Sequence, residues 1–182
     1  MITIELKVAE VSAILNRLGA VMSDLTPVMQ QIGEQLVFET GQRFAQGVSP
    51  EGAAWAPKSE TTKEVYARRS DPVSVKLLFG PSGRLHSTID YRAGSDFVEV
   101  GSGAIYAAVM QFGAAQGAFG AAMGPTRPSE KRPKSQDYFF LIPWGTIPAR
   151  PFLGLSEIDR ANIIATVTEW LEGAAAGASG GA

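Results

Sequence analysis

Apolar residues recur at helical spacing in three stretches of the chain and alternate with polar ones in a fourth. Val8, Val11, Leu15 and Leu18 predict a helix over 8–22, with Gly19 its weak point. Val28, Ile32, Leu36, Thr40 and Phe44 recur every four residues, while Gln30, Gln31, Glu34, Glu39 and Gln42 fall mostly off that line. An amphipathic helix follows, with Thr26 as N-cap, Pro27 in its first turn and an end near Gln46, before Gly47. Ile158, Ala161, Ile164, Ala165, Val167, Thr168 and Leu171 predict a third helix, to about Glu172. It opens on Ser156-Glu157-Ile158-Asp159, a capping box with Asp where Glu or Gln is usual. Leu85, Ile89 and Tyr91 alternate with His86, Thr88 and Asp90, then Gly94-Ser95-Asp96 offers a turn and 97–101 resumes the alternation. That pattern predicts a β-hairpin over 85–101.

Shorter signals lie between these. Ser49-Pro50-Glu51-Gly52 reads as a turn, and a short helix near 62–69 closes at Pro72. Residues 104–113 have helical composition with Tyr106 and Met110 on one side, and Tyr138–Ile142 is an apolar strand. The stretch 114–137 is first Ala/Gly-rich, then Pro-punctuated and basic, with Arg127, Lys131, Arg132 and Lys134 against Glu130 and Asp137. Its length and composition predict a mobile arm. The last ten residues, 173–182, carry no charge and read as a disordered Gly/Ala tail to a single domain over 1–172.

Composition narrows the function classes. Apolar residues make up 45% of the 182, enough for a core, and 16 basic against 18 acidic residues leave a net charge of −2. A dedicated nucleic-acid binder is normally strongly basic, so this balance argues against one. Cysteine is absent, which removes disulfides, thiol nucleophiles and iron–sulfur sites, and the single histidine, His86, removes a two-histidine metal centre. No apolar run approaches the roughly 18–20 residues that span a bilayer, and no signal-peptide core is visible, so a cytoplasmic site of synthesis without membrane partners is expected. His86 and Ser87 are neighbours on the expected strand and point to opposite faces, so they do not pair as nucleophile and base. His86 reads as a solvent-facing strand residue. Gly80-Pro81-Ser82-Gly83-Arg84 lacks the spacing of a phosphate loop, and Gly101-Ser102-Gly103 lacks the third glycine of a dinucleotide fingerprint. The carboxylates are accounted for as helix surface, caps and turns. No catalytic residue, cofactor or metal site is assigned.

Three clusters are left over: Arg43-Phe44 followed by Ser49–Pro57 with Trp55, then Tyr106-Ala107-Ala108 with Gln111-Phe112-Gly113, then Ile147–Leu155 with Arg150-Pro151-Phe152-Leu153. Trp55, Phe112 and Phe152 equally read as core plugs under loops. Together, in this order and with Gly83-Arg84-Leu85 and Ser87 between them, the clusters resemble the phage virion morphogenesis family, the tail-completion and neck proteins of Mu-like and related temperate phages. The resemblance covers about residues 27–172. Met110 stands where the family often has histidine before the Gln-Phe-Gly, and Glu51 where aspartate is usual.

The resemblance implies an α+β fold, with long N-terminal helices and a C-terminal helix packed on a mainly antiparallel sheet. It implies a structural, non-enzymatic ring subunit at the head–tail junction of the virion, a homo-hexamer made in the host cytoplasm. Its partners would be a head-side connector or adaptor ring and tail-terminator or tail-tube proteins, with genomic DNA passing through without sequence-specific binding. Arg43, Phe44, Trp55, Tyr106, Gln111, Phe112, Arg150, Phe152 and Leu153 become candidate assembly-interface residues, since aromatics and Arg anchor such contacts. Arg150 is then a bidentate carboxylate partner, and the arm orders on docking. Rival readings are a tail-terminator ring, a virion-associated hydrolase using His86 or a carboxylate pair, and a DNA-binding assembly factor using the basic loop.

Overall fold

Each of the three helical periodicities becomes a helix. The computed structural model describes residues 8–68, 76–80, 82–125 and 137–179 and is of mixed α+β type. In order these form α1 (Val8–Met22), α2 (Thr26–Gln46), α3 (Glu60–Arg68), α4 (Arg84–Ser87), β1 (Ile89–Ala93), β2 (Val98–Ser102), α5 (Ala107–Phe112), β3 (Ala121–Pro125), β4 (Asp137–Leu141) and α6 (Glu157–Ser179). The described sheet is not one layer but two separate antiparallel ribbons, β1–β2 and β3–β4. The chain divides into two compact units, one of Met1–Gln42, Ile89–Ser102 and Leu155–Ala182, the other of Arg43–Thr88 and Gly103–Gly154.

In the first unit α1 packs on α6, and Val28 and Ile32 of α2 are buried. β1 alternates, with Ile89, Tyr91 and Ala93 half-buried and Asp90 and Arg92 exposed, in register with β2 as Ile89↔Ser102 to Ala93↔Val98. Gly33 sits where the Tyr91 ring crosses α2; a Cβ there would collide with it. The Tyr91 hydroxyl donates to Glu34 Oε1 (3.3 Å), and Leu25 N–H donates to Ser95 O (3.2 Å) in the hairpin turn. Helix α2 begins one residue before Pro27, and Asp24 rather than Thr26 supplies the capping oxygen, accepting from Thr26 N–H at 3.0 Å. The hydrogen bonds from Thr26 hold the Asp24 carboxyl below its ordinary range. The capping box of α6 closes reciprocally: Ser156 N–H donates to Asp159 Oδ2 (2.7 Å) and Asp159 N–H to Ser156 Oγ (3.0 Å). Past Glu172, where a disordered tail was expected, α6 continues to Ser179. Ala174, Ala175 and Ala176 explain this, because alanine has the highest helix propensity and offsets Gly173. Residues 180–182 of that tail lie outside the described residues.

In the second unit the expected strand from 85 is instead the single helical turn α4. Gly83 enters it at φ +61°, and Ser87 N–H and Thr88 N–H donate back to Gly83 O and Arg84 O. The hairpin therefore starts at Ile89; Leu85 is a buried helix residue whose apolar spacing mimicked a strand. Residues 114–125 of the expected arm are built into regular contacts. Ala114 bridges Ile147, Phe119 N–H donates to Ile142 O (2.8 Å), and β3 pairs with β4 from Ala121↔Leu141 to Pro125↔Asp137. Small Ala and Gly side chains leave room for this pairing; at Gly124 a Cβ would come within 3.0 Å of Phe140. Arg127, Lys131, Arg132 and Lys134 lie outside the described residues.

Candidate assembly surface

Residues 150–154 have no ladder of their own, so their backbone polar groups depend on side chains reaching them from elsewhere in the second unit. Gln111 of α5 supplies three bonds: its Oε1 accepts from Phe152 N–H (2.9 Å) and Leu153 N–H (3.0 Å), and its Nε2 donates to Leu153 O (2.8 Å). Trp55 Nε1 donates to Pro151 O (2.8 Å), and Arg43 Nη1 to Gly154 O (2.9 Å). Arg150 works in the other direction. Its backbone N–H donates to Met110 O (2.8 Å), its Nε to Ala56 O (2.8 Å) and its Nη2 to Pro57 O (2.9 Å). Phe44 fills the space between, with ring centroids at 5.5 Å from Trp55, 5.3 Å from Phe152, 6.0 Å from Phe79 and 5.4 Å from His86, all edge-on. Gly154 at φ +151° lies against Pro50, where a Cβ would come within 2.8 Å of the proline ring. Gly113 at φ +75° likewise meets Ile147 O, at 2.7 Å from where its Cβ would stand.

The nine candidate interface residues therefore separate. Arg43, Phe44, Trp55, Arg150 and Phe152 are buried, and Gln111 and Leu153 are half-buried in the same network. They hold this unit together and are not surface anchors of the isolated chain. Within the chain Arg150 reaches two backbone carbonyls of the loop after Trp55 rather than a carboxylate. Tyr106 and Phe112 stay exposed, at 37% and 78%. The core-plug reading fits Trp55 and Phe152 and fails for Phe112. His86 is not solvent-facing: it is half-buried, edge-on to Phe44 and 5.0 Å from the Phe79 ring. Nearby, Ser49 Oγ donates to Glu51 Oε2 (2.8 Å) and accepts from Ala53 N–H (3.2 Å), closing the expected turn. That bond from Ser49, chiefly, holds the Glu51 carboxyl below its ordinary range.

The stretch 105–144 exposes large apolar side chains that the sequence reading did not single out. Ile105 is 99% exposed, and Phe139, Trp144, Phe119 and Met123 are each at least 60%. A signal existed for some of them. Tyr138–Ile142 is apolar at every position, and a two-stranded ribbon has too few neighbours to cover both of its faces.

A cleft of about 470 Å³ also lies within the second unit, lined in part by Lys58, Tyr66, Phe79, Tyr106, Met110 and Arg150. No Asp or Glu is among its described lining residues. Lys58 Nζ donates to Phe79 O (2.9 Å) and lies 5.7 Å from the Tyr66 ring centre. Burial pushes the Lys58 ammonium below its ordinary range, the Arg150 charge adding to the effect, and burial does the same to Arg150. Among the described residues no group of His, Cys, Asp and Glu is placed to hold a metal ion, and no helix is long and apolar enough to cross a membrane.

The model of the phage virion morphogenesis family matches residues 6–172, adding α1 to the span over which the motifs were legible. No curated protein and no solved structure matches the chain. With the Arg-Phe, Trp-x-Pro, Gln-Phe-Gly and Arg-Pro-Phe-Leu motifs converging in one network, and the family match running from α1 through most of α6, the chain belongs to the phage virion morphogenesis family and is a structural protein of phage virion assembly.

Proposed function

We propose that the chain is a non-enzymatic ring subunit of the head–tail junction, a homo-hexamer that completes the tail and joins it to a head-side connector ring. The observation that carries this reading is the exposed apolar set on 105–144 in a member of a structural virion family. Exposed apolar residues of this size mark contact surfaces, and each recovers about 1.5–3 kcal/mol when buried against a neighbour. A ring needs a head-to-tail contact in which one patch meets a different patch. The exposed ribbon β3–β4 and the α5 region offer one such patch. A net charge of −2 suits a conduit through which DNA passes without being held. His86 sits among aromatic rings, an environment that favours packing over hydrolysis.

Cryo-electron microscopy of intact virions tests the proposal. The expected result is density for this chain in a sixfold ring between head and tail. A ring at the end of the tail tube, with no contact to a head-side ring, would favour a terminator role. Virions without the chain would overturn the junction assignment.

A further inference from the structure

Arg150 has hydrogen-bonding capacity that the fold does not use. Its Nε and Nη2 are engaged by Ala56 O and Pro57 O, whereas Nη1 has no protein partner among the described residues. Arg150 is only 8% exposed, yet it lines the cleft. A guanidinium is thus fixed by two carbonyls and recessed at the cleft, with one nitrogen that no described residue engages. Lys58 stands close enough for its charge to be felt, and the walls are Tyr66, Phe79, Tyr106 and Met110, with no acid among the described lining residues.

We infer that this cleft is a receptor for an acidic peptide segment of a neighbouring virion protein, which sets a carboxylate on Arg150 Nη1 and an aromatic or aliphatic side chain against the Tyr66, Phe79 and Tyr106 walls. Charge complementarity selects the anion: a recessed cation without a carboxylate partner is stabilised by one, and the bond is charge-assisted. The apolar walls select a peptide over a nucleic-acid backbone. Phosphate tracking uses exposed basic stripes, and this chain is net acidic. A volume of about 470 Å³ holds one or two side chains and lies in the range of ligand pockets. The residue that staples the Trp55 loop is, on this inference, the same residue that reads the partner, so docking and the integrity of the second unit are linked.

That the donor is a virion neighbour rests on the proposed function; that the cleft takes a carboxylate does not. The test is a nitrogen–proton NMR titration of the full chain with 3-phenylpropionate, with its neutral amide and with inorganic phosphate. The expected result is saturable shifts at the Arg150 Nε–H and at the Tyr106 and Met110 amides with the carboxylate. The amide should bind about tenfold more weakly, and phosphate should leave those resonances in place. Tyr106→Ala, at an exposed wall position, should weaken the carboxylate while leaving the unfolding midpoint unchanged. Equal affinity for acid and amide, or no shift across the millimolar range, would overturn the inference, and preferential phosphate binding would replace it with a phosphate site. A positive titration of a chain that virions place elsewhere would sink the junction reading alone.

Discussion

Phe152 and Phe112 stand in motifs equally rich in Gly and flanking polar residues, yet one is sealed at 0% exposure and the other is 78% exposed. The difference lies in the backbone around them. Residues 150–154 are irregular, so Gln111, Trp55 and Arg43 must reach in to satisfy their N–H and C=O groups, and those side chains draw Phe152 into the interior. Phe112 closes α5, whose own backbone is satisfied by helical bonds ending at Gly113 N–H to Val109 O (2.8 Å). Nothing obliges its side chain to turn inward. In this protein an aromatic in a loop motif reports on stability where the loop lacks its own hydrogen bonds, and on partners where it does not.

The largest expected effect separates these two rings. Phe152→Ala should cost about 3–5 kcal/mol of stability, as large-to-small changes at fully buried aromatics do. Phe112→Ala should stay within about 0.5 kcal/mol. Urea unfolding followed by tryptophan fluorescence reads both. Similar midpoints for the two variants would break the comparison.

The next effect concerns one residue type in two settings. Gln111→Ala leaves the Phe152 and Leu153 N–H groups without their acceptor inside the protein, at about 1–3 kcal/mol for a stranded buried donor. Gln116 Nε2 also donates to a carbonyl, Trp144 O at 2.6 Å, but it is exposed. Water replaces that bond, so Gln116→Ala should change stability by less than about 0.5 kcal/mol. The same denaturation experiment sharpens the comparison. Equal losses would show that the network around 150–154 is not what holds the unit.

Changing Phe112 and Phe139 together to Asp should be nearly silent in the isolated chain, within about 0.5 kcal/mol for exposed sites. If the 105–144 surface is the contact surface, the variant should fail to form oligomers and should not complement virion assembly. Analytical ultracentrifugation and a plaque assay read the two outcomes, and wild-type behaviour in both would remove this surface from the proposal.

The α2 period from Val28 to Phe44 named both the helix and its buried face, whereas in α6 the apolar residues from Ile158 to Leu171 located the helix but not its buried face, since Ile158 and Ile164 are exposed. The motifs in their order identified the family, and they converge as the residues of one network. Their burial was legible only in part: the core-plug reading holds for Trp55 and Phe152 and fails for Phe112, and nothing in the sequence placed the two arginines inside. Arg43 and Arg150 are buried because distant carbonyls at Gly154, Ala56 and Pro57 need donors, and no local pattern states where an irregular loop will need one. The Leu85 alternation misled because residues four apart, Leu85 and Ile89, fit a helical turn as well as a strand. Strand β3 was missed because Ala-Ala-Met-Gly-Pro has weak strand propensity on its own and forms against the aromatic strand opposite.

The smallest expected effect is a pH dependence confined to the turn beside this network. Glu51 is exposed, and its carboxyl is held below the ordinary range chiefly by the Ser49 hydroxyl, with its own backbone N–H next and the Arg43 charge adding slightly. A carboxyl depressed by folding contributes stability that is fully present above the ordinary titration of the unfolded chain. That contribution disappears as the pH falls through the lower folded value. The network itself is built of Arg, Trp and Gln bonds to backbone groups, and no carboxyl takes part in those bonds. Carboxyl-detected NMR should therefore show Glu51 titrating below its ordinary range, and Ser49→Ala should return it upward. The Phe152 amide should keep its exchange protection across the same titration. If that protection fell in step with Glu51 protonation, the turn and the network would be one cooperative element, and the separation between them would have to be redrawn around Ser49.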